Sequence, residues 1–222
     1  MTFENRSEAG RRLGEAVVRL AAGEMPPADS VVVALPRGGV PVGYWVAEAL
    51  SAPLDVIMVR KLGAPGQPEL AIGAIGEGGV RVLSDDLVRR LGVSDAHLDE
   101  IAARESAELD RRLTLYRSGR PALNVAGRDV VLVDDGIATG ATARAACAVL
   151  RRLGAGRIVL AVPVAPPDTL GDMVTSGAVD FGVAVEKPRH MRAIGFWYRD
   201  FVQTSDNEVI DLLLAAGGGE AP

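Results

Sequence analysis

Apolar residues in this chain gather in short blocks within 31–35, 54–59, 128–134, 158–164 and 179–185. A strand that is apolar at every position is buried on both faces, as in a parallel sheet covered by helices. Between the blocks the spacing turns helical. Residues 5–22 place Leu13, Val17, Val18 and Leu20 on one side of an opening helix, which should lead into the first core strand after Pro26-Pro27. Helices are likewise predicted over 40–50 and 142–153. Strands alternating with helices imply an α/β fold: a mostly parallel sheet flanked by helices, in a single domain spanning 1–222.

Two stretches break the alternation. Residues 84–91 and 94–117 each open at a serine suited to a helix cap, and the second is dense in Glu and Arg. They read as a helical insertion over 84–118. A solvated packing helix is the plain reading; a lid or a dimerisation arm, and with it a homodimer, is the sharper one. The Gly- and Pro-rich stretch 62–79 holds a second irregularity, in which 70–75 and 80–83 suit a hairpin joined through Gly76-Glu77-Gly78-Gly79.

Composition narrows the partners. A chain of 222 residues can bury a sizeable core, and its formal net charge of -5 argues against nucleic acid as principal partner, because phosphate-backbone binding needs a basic face. One cysteine, Cys147, excludes a disulfide framework and falls on the apolar side of the 142–153 helix, where packing is expected. No apolar run is long enough to span a bilayer, and the first residues lack a hydrophobic signal core, so a cytoplasmic location is expected. His97 and His190 stand apart without cysteines nearby, which suits solvated or structural roles more than metal ligation. No Gly-Lys pair exists, so there is no Walker-type phosphate loop.

The most informative chemistry follows the 128–134 block. Asp134 and Asp135 emerge at its carboxyl end, where open α/β sheets bind ligands, and lead into Gly136-Ile137-Ala138-Thr139-Gly140-Ala141-Thr142. Small residues let successive backbone N–H groups converge, and a helix beginning near Thr142 adds its positive end, so the turn suits a phosphate. Acids beside it would repel that phosphate unless they faced ribose hydroxyls or magnesium. The arrangement asks for a sugar phosphate. A generic strand-to-helix turn with a solvated Asp pair is the bland alternative.

Residues 131–142 resemble the phosphoribosyl pyrophosphate signature of the type I phosphoribosyltransferases. A second match is Pro36-Arg37-Gly38-Gly39, between the 31–35 strand and its helix, which resembles the family's pyrophosphate loop; a plain βα turn is the alternative. A third is Val59-Arg60-Lys61, ending an apolar strand before 62–79. Among 24 basic residues only Lys61 and Lys187 are lysines, both at expected strand ends. In the family such a strand leads into a mobile loop that closes over the reacting centre, a place filled here by Lys61 and residues 63–78. The nearest subgroup is a bacterial set of phosphoribosyltransferases with a helical insertion and a Trp-Tyr-x-x-Phe segment, matched here by Trp197, Tyr198 and Phe201.

The resemblance implies displacement of pyrophosphate from the ribose anomeric carbon of phosphoribosyl pyrophosphate by a nitrogen nucleophile. Arg37, Lys61, the Gly38 and Gly39 amides and Mg2+ would take up the leaving charge, with Asp134 and Asp135 as catalytic acids on the ribose hydroxyls that reach the metal indirectly, through substrate and water. Ala138, Thr139, Gly140, Ala141 and Thr142 would anchor the 5-phosphate. A hood over residues 186–205 would receive the acceptor through Lys187, Phe196, Trp197 and Tyr198; core packing of those aromatics is an equal reading. The resemblance also implies a non-proline cis peptide between Pro36 and Arg37. One departure matters: members that use hypoxanthine or guanine carry an Asp before the loop Thr, and here Ala138 cannot take a proton. The acceptor stays unidentified. A non-catalytic regulatory binder and a ribose-phosphate hydrolase are the alternatives from other classes.

Overall fold

A computed structural model of the protein describes residues 2–24 and 30–217, so the Pro26-Pro27 lead-in lies outside the described residues. Among the described residues eight strands form two sheets. Strands β1 (Ser30–Ala34), β2 (Leu54–Val56), β6 (Asp129–Val133), β7 (Ile158–Val164) and β8 (Phe181–Glu186) make a five-stranded sheet in the order β2-β1-β6-β7-β8, with every neighbouring pair parallel. Strands β3 (Val59–Ala64), β4 (Gln67–Gly76) and β5 (Arg81–Leu83) form a separate antiparallel sheet. The mostly parallel fold expected from the apolar blocks is borne out.

The two-residue alternation of the strands explains why those blocks are mostly apolar. Val32, Ala34, Val131, Val133, Val159 and Ala161 face one core, built with α1 (Arg6–Glu24), α2 (Gly39–Leu50), the end of α4 (Asp95–Arg117) and α7 (Asp206–Gly217). Val31, Val33, Val130, Leu132, Ile158 and Leu160 face the other, covered by α5 (Ala141–Arg152) and α6 (Pro167–Thr175). Each fully buried Leu or Ile contributes about 1.5–3 kcal/mol by leaving water. Cys147 is one of these packed residues, and burial pushes its thiol up to about 12.

Several boundaries differ from expectation. The 54–61 block is not one strand: Asp55 is a buried acid tied to Arg117, and after the Ile57 amide bonds the Ala34 carbonyl the chain leaves the parallel sheet for β3. Lys61 therefore sits within β3, opposite Ala74, and not at a strand end. Residues 63–78 form no long loop. They turn at Gly66, whose φ of 69° suits glycine, and run back as β4, whose pairing with β5 is the predicted hairpin closed through Gly78 and Gly79 at positive φ.

Helix α3 (Asp85–Leu91) and α4 occupy the predicted insertion and pack on this second sheet through Leu98, Ile101 and Ala102 against Leu62, Ile72 and Ile75. Ser94 caps α4 by accepting from the His97 amide, whereas Ser84 makes no side-chain cap. On α1, Leu13 and Val17 are buried as expected, but Val18 is 40% exposed because it falls a further 100° around the helix. Asn5 supplies the start of α1, its Oδ1 accepting the Glu8 amide at 2.9 Å. No helix among the described residues is long and apolar enough to cross a membrane.

Candidate functional site

Parallel pairing of β1 with β6 sets Ala34 beside Val133, so the loops that follow these strands emerge side by side. The Leu35 amide continues the ladder by donating to the Val133 carbonyl at 2.9 Å. Beyond it, Gly38 and Gly39 lie directly against the acid pair. A Cβ on Gly38 would sit 2.0 Å from Asp135 Oδ2, and one on Gly39 would sit 2.8 Å from the Val133 carbonyl oxygen and 3.0 Å from Asp134 Cα. The glycine pair is needed for this close approach and not for unusual backbone angles: Gly38 is right-handed helical at φ -61°, and neither glycine lies at positive φ. The Pro36–Arg37 peptide within this loop is cis, as the resemblance implied.

The two acids have different surroundings. Asp134 accepts the Asp135 amide on Oδ1 at 2.9 Å; burial, and then the neighbouring charge of Asp135, hold its carboxyl well above the usual carboxylate range. Asp135 is 9% exposed and also raised by burial, but the Arg6 guanidinium opposes the shift, with Nε at 2.9 Å and Nη2 at 2.8 Å from Oδ2. Arg6 Nη1 donates to the Val202 carbonyl at 2.7 Å, and its plane lies 3.9 Å from the Phe201 ring. The Tyr198 hydroxyl donates to the Asp135 carbonyl at 2.6 Å.

The turn after the acids is held from outside. Gly136 and Gly140 adopt φ of 156° and 71°, and Gly140 caps α5. Thr169 of α6 donates to the Ala138 carbonyl at 2.9 Å, and the Ala141 amide meets Thr139 Oγ1 at 3.5 Å. Thr139, Ala141 and Thr142 are exposed at the start of α5, whose first amides have no acceptor within the helix. That is the geometry of an anion site.

Arg37 points elsewhere. Its Nη1 lies 3.6 Å from Asp206 Oδ1 at the start of α7, and the same oxygen accepts the Tyr116 hydroxyl at 2.7 Å. Burial, and then that bond, push the Tyr116 hydroxyl up to about 12. Lys61 lines a cavity of about 520 Å³ between β3 and α4, together with Gly66, His97, Arg104 and Glu105. In the C-terminal segment Lys187 is exposed just beyond β8 and Phe196 is 72% exposed, while Trp197 is partly covered. Tyr198 departs from its predicted part: it is 6% exposed, its ring packs on Phe3 and Phe201, and its hydroxyl is committed to Asp135. Its ring offers no open face, so it supports the acid pair instead of receiving a base.

The structure thus brings Gly38, Gly39, Asp134 and Asp135 together and adds Arg6, Thr169, Tyr116 and Asp206, none of which sequence reasoning had picked out. Arg6 and Asp135 are 129 residues apart, and a single Arg in a helix's first turn carries no local signal of such a partner.

Comparison with known proteins shows the family of the chain. The family model described as "Phosphoribosyl transferase domain" matches residues 7–177. Two curated Mycobacterium tuberculosis proteins, one from strain CDC 1551 / Oshkosh and one from H37Rv, bear names that assign them provisionally to the phosphoribosyl transferases. Each is 49% identical to this chain over 211 residues, covering 95% of this chain and 46% of the relative. The chain therefore spans about half the length of the curated relatives it matches. The crystal structure of TT1426 from Thermus thermophilus superposes with a TM-score of 0.83 at 43% identity, covering 97% of this chain and 99% of that one. AQ2163 from Aquifex aeolicus shares the fold alone, with a TM-score of 0.51 at 11% identity over 95% of this chain and 85% of that one.

Proposed function

Because this chain belongs to the phosphoribosyl transferase domain family, we propose that it transfers the phosphoribosyl group of phosphoribosyl pyrophosphate to a nitrogen nucleophile, releasing pyrophosphate. The observation that carries this reading is the direct contact of Gly38 and Gly39 with Asp134 and Asp135 at adjacent parallel strand ends. A diphosphate loop and a sugar-phosphate turn are useful together only if one ligand reaches both.

In the reaction the C–O bond to diphosphate breaks, diphosphate keeps the electron pair, a C–N bond forms and the nucleophile's proton passes to solvent. The 139–142 turn fixes the 5-phosphate and so positions the sugar. Asp134, the less occupied acid, holds ribose hydroxyls and, once ionised in the presence of the cationic ring, opposes its charge, while Asp135 is kept in place by Arg6 and Tyr198. Arg37, turning from Asp206, and Lys61, reaching from the cavity between β3 and α4, would stabilise the departing diphosphate. Ala138 supplies no base, so an acceptor that needs deprotonation must lose its proton to water.

Magnesium suits the donors present only in one manner. Among the described residues no three His, Cys, Asp or Glu side chains converge as a cage, but Mg2+ commonly takes one or two carboxylates and completes its shell with water and substrate phosphates. Asp134, with Asp135 behind it, fits that pattern. When bound, the ion would neutralise diphosphate charge.

A non-catalytic sensor of phosphoribosyl pyrophosphate is the second reading, favoured by the occupation of Asp135 by Arg6. Incubating the protein with phosphoribosyl pyrophosphate, magnesium and a panel of nitrogen acceptors, and following pyrophosphate and product, decides among the readings. Acceptor-dependent release supports transfer. Release with ribose 5-phosphate as the only product makes the protein a hydrolase, and binding without release makes it a sensor.

A further inference from the structure

The turn after the acid pair is anchored residue by residue from outside itself. The Ile137 amide donates to the Val164 carbonyl at 3.0 Å and carries the pairing of β6 with β7 a step beyond the strand. The next carbonyl, that of Ala138, accepts the Thr169 hydroxyl at 2.9 Å. Thr169 stands in the first turn of α6, away from the 131–142 segment in sequence. A Thr in a helix commonly turns its hydroxyl to the carbonyl four residues back on its own backbone. Here the hydroxyl reaches across to a neighbouring loop instead.

That bond fixes the direction of the group that follows. The Ala138–Thr139 peptide is trans, and in a planar trans peptide C=O and N–H point in opposite directions. With the Ala138 oxygen turned toward α6, the Thr139 N–H is turned away from it, at a residue that is itself exposed. Among the described residues no acceptor meets that N–H. The methyl of Thr169 acts one residue further on. A Cβ at Gly140, whose φ is 71°, would sit 3.2 Å from Thr169 Cγ2 and 3.2 Å from Met173 Sδ, so α6 closes directly over the glycine that caps α5.

We propose that Thr169 is a positioning residue for the 5-phosphate: by holding the Ala138 carbonyl it aims the Thr139 amide at the anion, without touching the ligand. This rests on the reading that residues 139–142 take the 5-phosphate. Released from α6, the 138–139 peptide can rotate and present its carbonyl oxygen to the phosphate, which replaces a charge-assisted hydrogen bond by a repulsion. The hydroxyl thus selects which face of one peptide the ligand meets, and α6 becomes part of the phosphate site through it.

Two substitutions in the full chain separate the two arms of the side chain. Thr169→Val keeps the methyl and loses the hydroxyl; Thr169→Ser keeps the hydroxyl and loses the methyl. Thr169 is only half-buried, so both variants are expected to fold, which thermal melts check. Calorimetric titration with ribose 5-phosphate should show a loss of about tenfold in Thr169→Val, the scale of one charge-assisted hydrogen bond, and of no more than about twofold in Thr169→Ser. Inorganic pyrophosphate, titrated with magnesium to report the Gly38-Gly39 loop, should keep its affinity in both variants. Equal losses of ribose 5-phosphate and pyrophosphate would make Thr169 a prop for both loops and overturn the proposal. So would a Thr169→Ser variant as weak as Thr169→Val, which assigns the effect to the methyl. Ribose 5-phosphate binding that Thr169→Val leaves unchanged sinks this proposal alone, whereas a parent chain that binds no ribose 5-phosphate sinks the reading of the turn along with it.

Discussion

Arg6 and Asp135 form an ion pair in which two guanidinium nitrogens converge on one carboxylate oxygen at 2.8 and 2.9 Å, with side chains only 11% and 12% exposed. One side chain thereby ties the first turn of α1, the end of β6 and the Phe201–Val202 backbone into a single unit. Arg6→Gln would leave a buried carboxylate without its cation, a loss of about 3–5 kcal/mol. Urea unfolding should show that loss, and Arg6→Lys should recover only part of it, because one ammonium cannot replace the guanidinium fork. Parent-like stability in Arg6→Gln would mean that water reaches Asp135 freely.

Asp134 should trade stability for function. Its folded carboxyl is held above the usual range, so the fold favours the protonated form, and its contribution worsens as pH rises through the folded value. Asn cannot ionise and keeps an oxygen for the Asp135 amide. Asp134→Asn should therefore melt higher than the parent at neutral pH, with the gain shrinking toward about pH 4, while transfer is lost. Paired thermal melts across that interval check the sign; a gain that grew on acidification would contradict it.

Arg37 is lightly restrained by Asp206 at 3.6 Å, in a pair whose side chains are 33% and 48% exposed. Such pairs are worth about 0–1 kcal/mol, so the guanidinium can turn to a diphosphate at little cost. Asp206→Asn should tighten inorganic pyrophosphate by up to about fivefold in calorimetry. Arg37→Ala and Lys61→Ala should each remove ~2–4 kcal/mol of transition-state stabilisation, read from kcat/KM, with less effect on ribose 5-phosphate binding. Weaker pyrophosphate binding in Asp206→Asn would instead make Asp206 a support for Arg37.

Arg117 pins the end of α4 beneath the sheets. It donates to Asp55 at 2.9 Å, to both Glu77 oxygens and to the Val56 carbonyl at 3.1 Å, while Asp55 also accepts the Leu123 amide. Arg117→Met alone strands two acids and should cost about 3–5 kcal/mol in denaturant. Adding Asp55→Asn and Glu77→Gln should restore much of it. If the triple variant is no better than the single one, packing and not charge is what Arg117 supplies.

The parallel sheet and its two loops were legible because their information is local. Fully apolar strands, Gly38-Gly39 and the Asp134-Asp135 pair each announce themselves within a few residues. The second sheet was read less well. The apolar run continues through Ile57 and Met58 without a polar break, and only the long-range bond of Asp55 to Arg117 marks where β2 ends and β3 departs. Tyr198 misled for the opposite reason: an aromatic beside Phe196 and Trp197 looks like part of a stacking face, and its burial against Phe3 depends on residues at the other end of the chain. Arg6 was invisible for the same cause.

The contact of Gly38 with Asp135 also bears on how such a protein can diverge. With 2.0 Å between a notional Cβ and a carboxylate oxygen, even alanine at position 38 would push the acid from its place beside Arg6. The two loops are therefore coupled although the chain writes them far apart: a side chain at position 38 requires the carboxylate at position 135 to move or to be replaced. A relative with a side chain at position 38 should therefore hold residue 135 away from the place beside the first-turn Arg that Asp135 takes here.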